Sequence, residues 1–237
     1  MDDKLDQFVE RVKSAAKENL KAVVLFGSAV TGEFHAKHSD LNLLCLVGAA
    51  NTGALEALRP EFSWWAKQTQ PVPLVFTIDE LRRSADIFAI ELIDIKARHR
   101  ILYGEDFLSR LTVPLRLHRH QIERELHTNW LRLRQRILTI PNGPQHLELM
   151  LASISTFTTL FRHTLIAMNE PAPERNREAI ERVAHLSGAD PGGFLEVLDI
   201  REEKKNAKTI DVEATLQRFL TFVEAVTNEV DQKFADA

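Results

Sequence analysis

Two short apolar runs separated by a polar stretch constrain the fold of this chain more than any other part of its sequence. The stretch reads VVLFGSAVTGEFHAKHSDLNLLCLV, and its apolar runs are Ala22–Phe26 and Leu41–Val47. Both are too short for typical helices and rich in Val and Leu, which predicts two buried β-strands. Gly27 ends the first run, and Ser28 is a suitable cap for a short helix after it. The polar residues between them, 32–39, are predicted to form a loop.

Helices and strands alternate over the first 105 residues. Apolar residues at helical spacing predict one helix over Asp2–Glu18 and another from about residue 51 to residue 69. The sequence VPLVFT, residues 72–77, is predicted to be a third strand, and RILYG, residues 100–104, a short fourth. A further helix is predicted to start at Thr77 or Asp79. This alternation predicts a sheet covered by helices.

The second half of the chain has only helical periodicity. Long helices are predicted over Val113–Leu138 and Leu147–Met168, a shorter one over Pro173–Leu186, and a last one containing Val212–Val230. Long helices joined by short loops form a bundle. The sequence therefore predicts an α+β fold: a small mixed-sheet domain over residues 1–105, followed by an all-α helical-bundle domain over residues 106–237. The linking segment is expected near Gly104–Leu111.

Composition limits the classes of function. The chain has 237 residues, a formal net charge of -4 and a single cysteine, Cys45, inside an apolar run. Cys45 is predicted to be a core residue, and the lack of a possible internal disulfide is typical of a reducing cytosol. The N-terminal residues have no signal-peptide pattern, and no apolar run is long enough for a bilayer, so we expect a cytoplasmic protein that does not contact a membrane.

Arginines are densest in the first long helix of the bundle. An anionic substrate or a nucleic acid could bind such a region. However, Glu123 and Glu125 interrupt the basic residues, and the arginines are distributed around the helix. A solvated face with salt bridges is the favoured interpretation, and no nucleic-acid partner is expected.

Residues next to the first two predicted strands are suited to binding phosphate and a metal ion. Asp40 and Asn42 are two residues apart, so on a strand their side chains project from one face. A glycine turn after a buried strand, here Gly27 and Ser28, brings backbone N–H groups close to a phosphate. Oxygen ligands on the neighbouring strand are suited to holding magnesium on the same phosphates.

The stretch LFGSAVTGEFHAKHSDLNLLCLV resembles the polymerase-β-like nucleotidyltransferase superfamily. Gly27 and Ser28 match its turn, Gly32 a small residue of its spacer, and Asp40 its first metal carboxylate. The helical second half resembles the bundle of the kanamycin nucleotidyltransferase branch and of small bacterial homologues. The resemblance implies a magnesium cofactor, a nucleoside triphosphate as substrate, and transfer of a nucleoside monophosphate to a hydroxyl of a small-molecule or protein acceptor. It implies that Asp40 and Asn42 are the catalytic and metal-binding residues.

The resemblance assigns nucleotide binding to Gly27 and Ser28. Lys37, in the spacer loop, is a further candidate for contact with a phosphate. His35 and His38 in the same spacer are instead expected to be solvated loop residues. 

Two departures from the family pattern concern its carboxylates. Asn42 stands where the second acid is expected, and the third strand has no acid before Asp79 and Glu80. Glu91 and Asp94, three residues apart and neighbours on a helix, could replace them or could pair with nearby basic residues.

Two hypotheses follow from these residues. The first is a nucleotidyltransferase with an eroded metal site. The second is a catalytically inactive nucleotidyltransferase-fold module that binds or regulates, for example as a homodimer through its helices. The two share one fold, and fold alone does not determine function.

Overall fold

The computed structural model describes residues 2–31, 40–141, 143–173 and 175–235. The chain divides into two compact units, Met1–Leu115 and Arg116–Ala237. The first contains the sheet, and the second contains only helices and loops in its described residues. The predicted α+β class, with a small mixed sheet followed by a helical bundle, is therefore confirmed.

The sheet of the first unit has four described strands in the order β3-β2-β1-β4. The strands are β1 (Leu20–Phe26), β2 (Asn42–Val47), β3 (Leu74–Thr77) and β4 (His99–Gly104). β1 is antiparallel to both β2 and β4, whereas β2 and β3 are parallel. The sheet is therefore mixed, and the two strands predicted from the apolar runs are its central pair.

Helices cover both faces of this sheet. They are α1 (Asp2–Ala16), α2 (Ser28–Thr31), α3 (Thr52–Ala66), α4 (Ile78–Arg83) and α5 (Ala89–Ala97). Leu43, Cys45 and Val47 pack with residues of α1 and α3, and Leu44 and Leu46 pack with residues of α4 and α5. Double coverage explains why β1 and β2 are continuous apolar runs without alternation.

Cys45 is completely buried in this core, as predicted. Burial raises the pKa of its thiol to about 12. The thiolate that a nucleophilic cysteine needs is therefore suppressed at neutral pH, and Cys45 acts as a small core side chain.

Several ends of elements differ from the sequence prediction for local reasons. α1 ends at Ala16 because Lys17 has a left-handed φ of 49° and begins a short 3-10 turn, Lys17–Asn19. β3 begins at Leu74 and not at residue 72, since the prolines at 71 and 73 have no N–H to donate to a ladder.

The first unit extends beyond the predicted boundary at residue 105. Leu108 and Leu111 pack in the same core cluster as Leu92 and Ile95 of α5. The Lys96 ammonium also donates to the Leu111 carbonyl at 2.6 Å. The first helix of the bundle was predicted from residue 113, but these contacts hold the chain against the sheet, and the helix begins only at residue 118.

The second unit is built around phenylalanine side chains. Its helices are α6 (His118–Ile137), α7 (Pro144–Ala167), α8 (Asn176–Ser187), α9 (Gly192–Arg201) and α10 (Val212–Ala235). Phe194 of α9 stacks on Phe219 of α10 with ring centroids 4.6 Å apart, and Phe161 of α7 lies 5.3 Å from Phe194. α9 was not predicted from the sequence.

Basic side chains of α6 have partners within the second unit. Arg134 pairs with Glu224 at 2.9 Å and lies over the Trp130 ring, and His127 contacts Asp231 at 2.9 Å. This arrangement agrees with a salt-bridged face. Within the described residues, no helix is both long enough and apolar enough to cross a membrane.

Candidate functional site

The predicted glycine turn lies at the end of β1. Gly27 follows Phe26 with φ at +83°, a left-handed conformation that favours glycine, and its carbonyl accepts from the Val30 N–H at 3.0 Å. Ser28 begins α2, which is a single turn of helix. With this positive φ at Gly27, the chain leaves β1 and enters α2.

Asn42 is brought directly against this turn. It is the first residue of β2 and pairs with Phe26 across the β1–β2 ladder. A β-carbon added at Gly27 would lie 3.1 Å from Nδ2 of Asn42. Gly27 and Asn42 are fifteen positions apart in the sequence, and the strand pairing makes them neighbours in space.

Asp40 lies two residues before Asn42 and is exposed. Leu41 between them is buried in the core cluster that contains α1 and α3. No ion pair or hydrogen bond to Asp40 is found among the described residues. Lys37, His35 and His38 lie outside the described residues, and their predicted roles stay predictions.

The acids that follow β3 lie at the opposite end of the sheet. β3 runs parallel to β2 with Thr77 beside Val47, and Val47 is about 17 Å along the strand from Asn42 at ~3.3 Å per residue. Glu80 is also engaged in capping α4: it accepts from the Thr77 N–H at 2.8 Å, and the Thr77 hydroxyl accepts from the Glu80 N–H at 3.1 Å. Hydrogen bonding of the Glu80 carboxylate to Thr77, first to its N–H and then to its side chain, lowers the pKa of Glu80.

Asp79, in the first turn of α4, contacts Arg82 one turn later at 3.8 Å. Neither Asp79 nor Glu80 therefore completes a carboxylate group with Asp40. Glu91 and Asp94 lie on α5, the first exposed and the second half-buried. Their proposed substitution for the missing acids stays a prediction.

Two polar side chains beside the site, those of Gln70 and His99, were not predicted from the sequence. The Gln70 side chain, in the loop before β3, accepts from the Leu41 N–H at 2.7 Å. On the other side, His99 of β4 pairs with Phe26, so Asn42, Phe26 and His99 form one row across three strands. Neither contact has a sequence signal, since each depends on strand register or on a loop conformation.

His99 is held between two acceptors, the Lys96 carbonyl at 3.0 Å from Nδ1 and the Asp106 carboxylate at 3.2 Å from Nε2. Asp106 also accepts the backbone N–H groups of Leu108 and Ser109. The Ser109 N–H is the main cause, and His99 a further cause, of a lowered pKa for Asp106. The Asp106 carboxylate therefore serves to fix the chain after β4.

The described donors of the site would fit one magnesium ion and not a pair. Over the described part of the chain, no three His, Cys, Asp or Glu side chains come together as a metal-binding group. Asp40 supplies one anionic oxygen, and Asn42 supplies an amide oxygen if its side chain rotates. Magnesium commonly uses one or two protein carboxylates together with substrate phosphates and water, so these residues fit an ion that arrives on a nucleotide.

Comparison with known proteins supports the fold. No family model and no curated protein sequence matches the chain. Among solved structures, it is similar to a spectinomycin adenyltransferase from Enterococcus faecialis, solved with ATP and spectinomycin. The similarity has a TM-score of 0.58 and 15% sequence identity, and it covers 95% of this chain and 99% of the other.

A second similarity is partial. It concerns a toxin–antitoxin structure solved with AMP-PNP, at a TM-score of 0.32 and 16% identity, and covers 44% of this chain and 82% of the other. The similarity to the adenyltransferase, by contrast, covers nearly all of both chains. The fold of this chain is therefore similar to that of the spectinomycin adenyltransferase structure over almost its whole length.

Proposed function

We propose that the chain binds a magnesium-bound nucleoside triphosphate at Gly27, Ser28, Asp40 and Asn42 and transfers its nucleoside monophosphate to a hydroxyl acceptor. The observation that carries this proposal is the position of the Asn42 side chain next to the Gly27 turn, two residues after the exposed Asp40. The acceptor is a small molecule or a protein, and the structural neighbour was solved with both ATP and a small-molecule acceptor.

Each residue has one role in this proposal. The turn at Gly27 and Ser28 donates backbone N–H groups to the phosphates, because the glycine allows a close approach. Asp40 would bind the cation, and the amide oxygen of Asn42 would be a further ligand that adds no charge. A bound magnesium would offset the negative charge that develops on the phosphates. The acceptor oxygen forms a bond to the α-phosphorus, pyrophosphate leaves, and the hydroxyl proton is released to water.

A second candidate function is nucleotide binding without transfer. It is favoured by one specific observation: no three His, Cys, Asp or Glu side chains of the described residues form a metal-binding group, and a metal pair would need more anionic oxygen than Asp40 alone supplies. At an effective dielectric constant near 20, each missing ion contact at about 4 Å represents roughly 4 kcal/mol of Coulomb attraction before desolvation. The two candidates share the binding step and differ in turnover.

The experiment measures binding and transfer for ATP, GTP, CTP and UTP, with and without magnesium. Asp40→Asn keeps the shape of the side chain and removes its charge, so magnesium-dependent affinity should fall by about tenfold or more, ~1.4 kcal/mol. Asp79→Asn is the matched control, since it removes an acid at the other end of the sheet, and should leave the affinity unchanged.

Asn42→Asp tests the missing charge directly. The added carboxylate should tighten magnesium-dependent binding by about tenfold. Binding and label transfer by the unaltered protein support the enzyme, and binding without transfer to any hydroxyl acceptor supports the second candidate. If none of the four nucleotides binds, the proposed function is wrong.

A further inference from the structure

The loop between α3 and β3 contacts the backbone of the candidate site. The Gln70 Oε1 atom accepts from the Leu41 N–H at 2.7 Å, and Leu41 is the residue between Asp40 and Asn42. A backbone N–H can only donate, so the oxygen of the carboxamide must face it. The contact joins residues 29 positions apart in the sequence.

This side chain takes the place of a strand partner. The β2–β3 ladder begins at Leu44, which pairs with Leu74, and so does not extend to residue 41. Leu41 is only 4% exposed, and a buried N–H needs an acceptor. Gln70 supplies that acceptor at the point where the chain passes from Asp40 into β2.

The loop that carries Gln70 is itself fixed. The Trp65 indole N–H donates to the Pro71 carbonyl at 3.0 Å, directly after Gln70. Trp65 is completely buried and lies 4.9 Å from the ring of Phe8. On the other side, Thr69 has a φ of 58°, which turns the chain tightly before Gln70. The core of the first unit therefore supports the position of the Gln70 carboxamide.

We infer that Gln70 is a positioning residue for the nucleotide site: by holding the Leu41 N–H, it fixes Asp40 and Asn42 relative to the Gly27 turn. This inference rests on the proposed function. It assigns to Gln70 no contact with the nucleotide. Metal binding needs the Asp40 and Asn42 oxygens at fixed positions, whereas the phosphate contacts of the Gly27 turn do not depend on Gln70.

The test compares three variants with the unaltered protein. Gln70→Met keeps the length of the side chain and removes the acceptor, and Gln70→Glu keeps an acceptor at the same distance. Gln68→Met is the matched control, because it makes the same change in the same loop. The probes are ATP with magnesium, ATP with EDTA, and amide hydrogen exchange at Leu41.

Gln70→Met should speed hydrogen exchange at Leu41 by about tenfold or more and weaken binding of magnesium ATP by about tenfold, with binding of metal-free ATP unchanged. Gln70→Glu and Gln68→Met should keep both exchange and affinity within about threefold of the unaltered protein. General damage to the fold would weaken metal-free binding as well and would overturn the inference. Unchanged exchange at Leu41 in Gln70→Met would also overturn it.

Failure of the proposed function gives a different result. If the unaltered protein binds no nucleotide, the proposed function has failed. Hydrogen exchange at Leu41 and Asn42 then tests only whether Gln70 fixes the start of β2. Faster exchange at both amides in Gln70→Met, with normal exchange in Gln70→Glu, would show that Gln70 holds residues 40–42 in place. Exchange that is the same in all variants refutes it.

Discussion

Gly27 is constrained both by its backbone conformation and by its neighbour. Its φ is +83°, and an added β-carbon would lie 3.1 Å from the Asn42 amide nitrogen. Gly27→Ala should therefore lower the free energy of unfolding by roughly 1–2 kcal/mol for the left-handed conformation. It should also displace Asn42 and weaken nucleotide binding, which calorimetry with magnesium ATP would measure.

Gly188 provides the control for this substitution. It has a φ of +64°, but a β-carbon there would meet nothing within 4 Å. Gly188→Ala should lose a similar amount of stability, measured by urea unfolding, and keep full nucleotide affinity. Equal affinity losses in both variants would mean that stability, and not the Gly27–Asn42 contact, controls binding.

Residues of the candidate site differ in how far they could be predicted. Gly27, Asp40 and Asn42 were identified because a turn after an apolar run and a two-residue spacing on a strand are local patterns. The loss of an acid at Asn42 was also visible in the sequence. Gln70 was not, because its role depends on a loop conformation that brings it to Leu41.

Among the elements, α9 shows why a helix can be missed. Its first residues, Gly192 and Gly193, are typical of a turn. In the structure, a β-carbon at Gly193 would lie 2.6 Å from the Arg218 β-carbon and 2.8 Å from the Phe219 nitrogen of α10. The glycine therefore allows two helices to approach closely, a reason that only the tertiary structure reveals.

Substitution of Gly193 tests this close approach. Gly193→Ala should destabilise the protein by about 1–3 kcal/mol, because the backbone of α10 must move. Gly192→Ala is the matched control, since its nearest atoms belong to the flexible Asp190 carboxylate at 3.1 Å and 3.2 Å. It should be neutral in urea unfolding, and a loss equal to that of Gly193→Ala would contradict the close-packing explanation.

The strands and helices were otherwise predicted well where one pattern dominated. β1 and β2 have continuous apolar runs because both faces of the sheet are covered. The start of α6 was predicted too early because Leu108 and Leu111 pack in the core of the first unit. Apolar periodicity shows that a residue is buried, but it does not show against which unit.

In the whole molecule, each unit has a carboxylate that fixes a loop or helix start. Asp106 does so after β4. In the second unit, Glu213 of α10 accepts from the Gly143 N–H at 3.0 Å and from His146 Nδ1 at 2.9 Å, at the start of α7. The Gly143 N–H, and then His146, hold the pKa of Glu213 below its ordinary value. Both units therefore contain an acid-sensitive contact.

The Glu213 contact predicts how acid affects stability. A carboxyl whose pKa is lowered in the folded state binds more protons when unfolded, so its contribution is complete above its ordinary pKa of about 4.3 and is lost as pH falls below it. Glu213→Gln cannot titrate, so its urea midpoint should be lower at pH 7 and should fall less between pH 5 and pH 3. Glu229→Gln is the control. It removes another carboxylate of α10, which contacts Lys233 at 3.7 Å, and its urea midpoint should change with pH as that of the unaltered protein does. If Glu213→Gln and the unaltered protein lose the same stability between pH 5 and pH 3, the Glu213 contact with the start of α7 does not contribute to acid sensitivity.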